Sequence, residues 1–384
     1  MSFSRPACPF DLGAVDFEAR PLIDWLAAER QAKLDLNLSQ CPLILIGANA
    51  VLAQPFVAAC KAGLNVVAII DNALPADTAS TPMIVGDADL DLVLKTFPDA
   101  VGILCCGSEN ALRHFRHLWG PRPQALLFYF EVIAALDMAP GFRLDFMRRF
   151  QSLETAQAAR RTASRHLTDA ASLKTLDALL LHHLTWDIGL LDAVSRPEKA
   201  IYFENDVMPL TAEEVFVDGG AYDGDTVRQF LAASGGRYRH VHAFELDPVN
   251  AAALVDKTRD VARLTPHAVG LWSRRAQLAL EHRDDDGSRV SAHGDHYSDL
   301  VALDDLDIAP PTFIKLDVEG AEVEALRGAA RLIAEHKPKL AICAYHKADD
   351  LATLFDTVMS LRDDYQFHLR HYSPIVFDTV IYAT

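Results

Sequence analysis

The sequence predicts an α/β protein: a smaller α/β domain, a helical connector, then a larger, mostly parallel sheet that ends in one antiparallel strand. Three observations predict it. Continuous apolar runs such as "LILI" (43–46) and "VVAII" (66–70) suit parallel strands covered on both faces. Such runs alternate with helical patterns in two separate stretches of the 384-residue chain. The last two apolar segments are joined by "SPIVFD", too short for a helical crossover, so they must pair antiparallel.

Taken in order, residues 1–40 form an N-terminal helical segment, with Leu22, Ile23, Leu26 and Leu34 near helical spacing over 20–36. Residues 41–135 hold the first α/β domain, with strands at "LILI", "VVAII", "PMIV", "VGILCC" and "ALLFYF" and helices between them. Residues 136–200 lack proline between Pro140 and Pro197 and nearly lack glycine, and "LKTLDALLLHHLTWDIGLLDAV" repeats apolar residues at three and four: a helical connector. His182 and His183 are adjacent there, so a helix points them apart, which argues against a shared metal. Residues 201–384 carry the second pattern, with strands at "VFVDG", "VHAFEL", "HAVG", "FIKLDV", "KLAICAY", "QFHLRHY" and "TVIYA". Helices fall near 225–233, 248–260, 320–335 and 348–362. "RDDDGSR" (283–289) reads as a solvated turn.

Composition narrows the function. Half of the residues are hydrophobic and 23% charged, the profile of a soluble globular protein. A formal charge of −17 argues against nucleic-acid or anionic-membrane partners, which need a concentrated basic surface. No run approaches the roughly 18 apolar residues of a membrane span. The first residues lack the order of a secretory signal, and the six cysteines form no C-x-x-C pair, so a cytoplasmic location is expected.

The chemistry centres on "EVFVDGGAYDGDT" (214–226), a glycine-rich loop after a buried strand. In open α/β sheets the ligand lies beyond the carboxyl ends of the strands, and Gly219 and Gly220 allow close backbone approach there. Asp225 or Thr226 can cap the helix that follows. A pyrophosphate beside Asp218, Asp223 and Asp225 would cost roughly several kcal/mol at an effective dielectric of about 20. S-adenosylmethionine, with a cationic sulfonium and ammonium, would instead be attracted. The spacing D-G-G-x-x-D-G also departs from the dinucleotide fingerprint G-x-G-x-x-G. Glu245, ending the second strand, is placed to accept ribose hydroxyls, and Asp247 to cap the next helix. Asp317 and Glu319 stand at the end of a central strand, with Tyr345 and His346 one strand further on. An imidazole of ordinary pKa near 6.5 at His346 could take a hydroxyl proton. Asp317 and His346 also suit a divalent metal, although two ligands are too few to define one.

"VFVDGGAYDGDT", "AFELDP", "FIKLDVEGAEVEALRGA" and "AYHKADDL", in that order, resemble the FkbM family of S-adenosylmethionine-dependent methyltransferases, from about Tyr202 to the end of the sequence. The resemblance implies a class I methyltransferase sheet, Rossmann-like in plan, and methyl transfer to a hydroxyl oxygen, often on a sugar or natural product. By position it implies that Asp218, Gly219, Gly220, Asp223 and Glu245 hold the cofactor. Ala268 and Val269 would lie near the adenine, and Asp317 with His346 near the methyl group. The catalytic base is not implied by the resemblance; His346 rests on its placement alone.

The first α/β domain is Rossmann-like but lacks the fingerprint: "GANAVLA" keeps Gly47, with Asn49 and Leu52 where glycines would stand. Asp71, ending its second strand, is placed to meet a ribose, so two rival readings stand beside the methyltransferase. One is a nicotinamide- or nucleotide-binding oxidoreductase using this domain. The other is a non-catalytic protein that binds S-adenosylmethionine. The expected partner is a small-molecule or carbohydrate acceptor, and a homo-oligomer is compatible with the sequence.

Overall fold

A computed structural model describes residues 5–48, 50, 53–138, 152–282, 288–290, 296–347 and 349–384. The chain divides into two compact units, one of residues 1–157 and 177–193, the other of residues 158–176 and 194–384. The stretch expected as a connector is therefore divided between the units.

The first unit begins with α1 (Arg20–Asp35) and continues through β1 (Leu43–Ile46), α2 (Gln54–Gly63), β2 (Val66–Ile70), β3 (Met83–Val85), α3 (Leu90–Thr96), β4 (Val101–Leu104), α4 (Glu109–Trp119), β5 (Leu126–Phe128) and α5 (Tyr129–Ala135). Its sheet has the order β3-β2-β1-β4-β5, with every pair parallel. β1 is buried along its whole length, as its unbroken apolar run requires. "ALLFYF" is a strand only to Phe128: the chain turns helical at Tyr129, where the Glu131 carboxylate accepts the Phe128 N–H at 3.0 Å and closes the first helical turn. Helices α6 (Leu153–Ala163) and α7 (Ala170–Thr185) each cross from one unit's residues to the other's, and α8 (Gly189–Asp192) closes the first.

The second unit runs β6 (Val215–Gly219), α9 (Asp225–Ala233), β7 (His240–Phe244), α10 (Pro248–Thr258), β8 (Leu264–His267) and β9 (Gly270–Leu271). It continues through β10 (Ala276–His282), β11 (Ser288–Val290), β12 (His296–Val301), β13 (Phe313–Leu316), α11 (Glu322–Gly328), α12 (Ala330–His336), β14 (Lys339–Cys343), α13 (Asp350–Leu361), β15 (Phe367–His371) and β16 (Thr379–Ala383). Seven strands form the main sheet in the order β15-β16-β14-β13-β6-β7-β8, and β16 alone runs against the other six. β6 lies between β7 and β13, so the chain leaves it to one side and returns on the other. That reversal opens a crevice at the carboxyl rim, beyond Gly219. Because β16 is reversed, its first residue stands at the same rim: the Ala344 N–H donates to Thr379 O at 2.8 Å.

Below the rim, Phe203, Phe216, Phe230 and Phe313 pack into one buried aromatic cluster, with Phe216 stacked on Phe230 at 4.6 Å between centroids. This apolar floor fixes β6 and α9 and hence the loop between them. "HAVG" is not one strand: β8 ends at His267 and β9 begins at Gly270, and β9 joins a separate four-stranded sheet, β11-β10-β12-β9. That sheet takes in Ser288 and Arg289 of the expected turn, whose residues 283–287 lie outside the described residues. Among the described residues, no helix is long and apolar enough to cross a membrane.

Candidate functional site

A cavity of about 310 Å³ occupies the rim of the second unit's sheet, within the range of small-molecule sites. Gly220, Asp225, Thr226, Glu245 and Asp317, all expected from the sequence, line it. Asp218, Gly219, Asp223, Ala268, Val269 and His346 do not.

Asp218 is fully buried beneath the loop, where Lys315 Nζ stands 3.1 Å from its Oδ1. Lys315 also donates to Gly219 O at 3.2 Å and to Gly220 O at 2.7 Å, so it ties the loop backbone to β13. Burial pushes the Asp218 carboxyl up to about 6 against the pull of Lys315. Burial would lower Lys315, but Asp218 and Asp317 overcome it and raise its pKa. Both are charged at neutral pH, and the aspartate meets the lysine rather than a ligand. Gly219 packs against Leu271 and Leu316. Asp223 turns outward: Arg228 donates to it at 3.0 Å and Lys257 holds its other oxygen. Burial would raise its pKa, but these two cations hold it below the usual carboxylate range. Ala268 is exposed, while Gly270 and Leu271, two residues later, line the cavity.

Most of the loop's N–H groups are already engaged. Gly220 N and Ala221 N donate to Phe244 O at 3.0 and 2.9 Å, Gly224 N to Ala221 O at 2.8 Å and Thr226 N to Asp225 Oδ1 at 2.6 Å. Tyr222 N donates to Glu245 Oε2 at 2.8 Å. A phosphate cradle needs such groups free and aimed at the ligand. The helix cap also differs from expectation: Gly224 occupies the N-cap of α9, and no side chain caps it. Asp247 does cap α10, accepting from Val249 N and Asn250 N.

Glu245 is buried and held by two backbone N–H groups, Tyr222 N on Oε2 and Asp247 N on Oε1, each at 2.8 Å. Each oxygen keeps a lone pair for a further donor. Burial raises its pKa despite those two bonds. The wall near it is apolar, with Leu246, Leu271 and Leu300. Gln229, on α9, also lines the cavity, and its buried Oε1 has no hydrogen-bond partner.

At the other end, Tyr202 Oη donates to Asp317 Oδ2 at 2.9 Å and Tyr345 Oη to Asp317 Oδ1 at 3.2 Å. Burial would raise Asp317, but Lys315, His346 and the Tyr202 hydroxyl together hold it below the usual carboxylate range. His346 Nδ1 lies 2.8 Å from Glu322 Oε1, and Nε2 lies 3.4 Å from Asp317 Oδ1. Burial would lower its pKa, yet Glu322, Asp317 and Glu319 push it up to about 10. His346 is an imidazolium at neutral pH, so the expectation of a base with an ordinary pKa is corrected. Among the described residues, no group of three or more His, Cys, Asp or Glu side chains is arranged to hold a metal ion.

The cavity is strongly acidic. Glu198, Asp225, Glu245, Asp317, Glu319 and Asp378 line it, and Lys315 is the one lysine or arginine among the lining residues. The repulsion of phosphate expected from Asp218, Asp223 and Asp225 thus comes largely from other carboxylates. Sequence reasoning missed Gln229, Lys315, Glu198 and Asp378 as site residues; the "K" of "FIKLDV" was legible as an odd charge within an apolar run.

In the first unit, Asp71 is buried at the end of β2, and its Oδ1 accepts the Ala73 N–H at 2.9 Å. Gly47 turns the chain after β1, and Asn49 and Leu52 lie outside the described residues.

The family described as "Methyltransferase FkbM domain" matches residues 218–369. The solved structure of Methyltransferase FkbM from Methylobacillus flagellatus KT is 25% identical, with 96% of this chain and 100% of that chain covered and a TM-score of 0.71. Aeropyrum pernix fibrillarin, in complex with S-adenosyl-L-methionine, is 14% identical over 49% of this chain and 75% of that one, with a TM-score of 0.34. A SAM dependent methyltransferase from Aquifex aeolicus is 11% identical over 51% and 97%, with a TM-score of 0.29. No curated protein matches the sequence.

Proposed function

We propose, from the match of residues 218–369 to the FkbM methyltransferase domain, that the rim cavity binds S-adenosylmethionine and methylates a hydroxyl of a sugar, glycan or small natural product. The observation that carries the reading is the cavity's wall: a carboxylate held by two backbone N–H groups, beside a glycine loop most of whose own N–H groups are engaged. Such a wall suits a ribose and a cation and repels a pyrophosphate.

The residues present fit the cofactor. Glu245 would accept the ribose hydroxyls, and Leu246, Leu271 and Leu300 would cover the adenine. Gln229 Oε1, an acceptor with no donor, and Asp225 would take the ammonium group. When bound, S-adenosylmethionine supplies a methyl carbon on a cationic sulfur, and its transfer to a hydroxyl leaves one proton to be taken up. The protein's own share is alignment and charge: Lys315 fixes the loop, and Tyr202 and Tyr345 fix Asp317 toward the acceptor. His346 stays protonated and supports the negative charge of Asp317 and Glu322. Among the described residues of the first unit, no observation favours the nicotinamide reading.

Calorimetric titration tests this. Glu245→Ala is expected to weaken S-adenosylmethionine binding by about 100-fold, for two charge-assisted hydrogen bonds. Asp223→Ala is expected to change it by no more than about twofold, since its partners are surface cations. Saturable binding of NAD with none of S-adenosylmethionine would overturn the proposal.

A further inference from the structure

Asp378 is placed in the cavity by topology rather than by motif. It immediately precedes β16, the single reversed strand, so the chain delivers it to the carboxyl rim from the side opposite the glycine loop. Its backbone is held there: Tyr372 N donates to Asp378 O at 3.0 Å, and its φ of 58° lies in the left-handed region that few non-glycine residues occupy. Its carboxylate receives no hydrogen bond from any described residue, unlike Asp317, which accepts two tyrosine hydroxyls. Charged and titratable groups face it from three elements: Glu198 from the turn at 198–200, Asp317 after β13, and His346 with Tyr345 after β14.

Of these neighbours none can serve as a proton acceptor at neutral pH so readily. His346 is already protonated, Asp317 is held by its donors as a weakly basic carboxylate, Glu198 is exposed, and the tyrosine hydroxyls stay protonated in their burial. We infer that Asp378 is the proton acceptor of this pocket: protonated in part when the pocket is empty, it loses that proton when a cation binds, and as a carboxylate it receives the acceptor's hydroxyl proton. The inference rests on the methyltransferase reading. Burial together with Asp317 and Glu198 pushes its carboxyl up to about 7, so the proton is loosely held at neutral pH. In the transfer the hydroxyl oxygen forms the C–O bond, the C–S pair returns to sulfur, and the O–H proton passes to Asp378 and then to water. The cationic sulfur is thus required twice, once as the leaving group and once to ionise the base.

The test is proton release on binding. Titrated at pH 7 in phosphate and in Tris, which differ in ionisation enthalpy, the wild type should release about half a proton per S-adenosylmethionine, the fraction that a group with its midpoint near 7 still holds. S-adenosylhomocysteine, whose sulfur is neutral, should release far less. Asp378→Asn should bind S-adenosylmethionine and release none. Wild-type affinity alone gives a second readout: S-adenosylmethionine should bind about fivefold more weakly at pH 6 than at pH 7. Binding with equal proton release in Asp378→Asn, or with no release and no pH dependence in the wild type, would overturn the role of Asp378 alone. Absence of S-adenosylmethionine binding by the wild type would overturn the methyltransferase reading and this inference with it.

Discussion

Gly220→Ala is expected to abolish S-adenosylmethionine binding and to destabilise the second unit by roughly 3–5 kcal/mol, the range of severe backbone and packing defects. A Cβ at this position would stand 1.8 Å from Asp317 O and 2.8 Å from Asp317 C. These are backbone atoms of the neighbouring central strand's end, so no rotamer change relieves the clash. The φ of +75° adds the left-handed cost of about 1–2 kcal/mol for a residue with a side chain. Gly235→Ala separates the two effects. Gly235 has a φ of +59°, but nothing lies within 4 Å of a Cβ built there. It should show only the conformational cost, with binding intact. Urea unfolding and calorimetry on the two variants check both halves.

Lys315→Met is expected to cost about 3–5 kcal/mol, because it leaves Asp218 as a buried carboxylate without its cation. The sign with pH follows from Asp218, whose pKa is already raised in the folded state to about 6. A raised carboxyl contributes stability below its unfolded pKa and loses it as pH rises through the folded value. Without Lys315 that value climbs further, so the deficit should be small at pH 4, where folded Asp218 is protonated with or without the lysine, and full at pH 8. Adding Asp218→Asn should restore part of the loss at pH 8, a coupling that a double-mutant cycle reads. The same variant releases the carbonyls of Gly219 and Gly220, so cofactor affinity should fall as well.

Much of the fold was legible because its signals are local. "LILI", "VVAII", "VFVDG" and "TVIYA" coincide with β1, β2, β6 and β16, since a buried central strand is built mainly of apolar residues. The β9–β12 sheet was not, because β9 and β11 have only two and three residues and charged residues interrupt the runs of β10 and β12. Within the site, Gly220, Glu245 and Asp317 were legible from their positions after strands. Asp223 was misread because charge in a loop says nothing of direction, and the lysine and arginine that claim it lie on α9 and α10. His346 was misread for the same reason: Glu322, the carboxylate that keeps it protonated, comes from another element. Asp378 gave no sequence signal, since "FDTV" resembles any strand entry and only the reversed strand brings it to the rim.

A crystal structure of the chain with S-adenosylhomocysteine decides where the cofactor lies. The nucleoside is expected in the rim cavity of the second unit, with both ribose hydroxyls on Glu245, the adenine against Leu246 and Leu271, and the amino group near Gln229 and Asp225. A ribose held by any residue other than Glu245, or a nucleoside bound at Asp71 of the first unit, would contradict it.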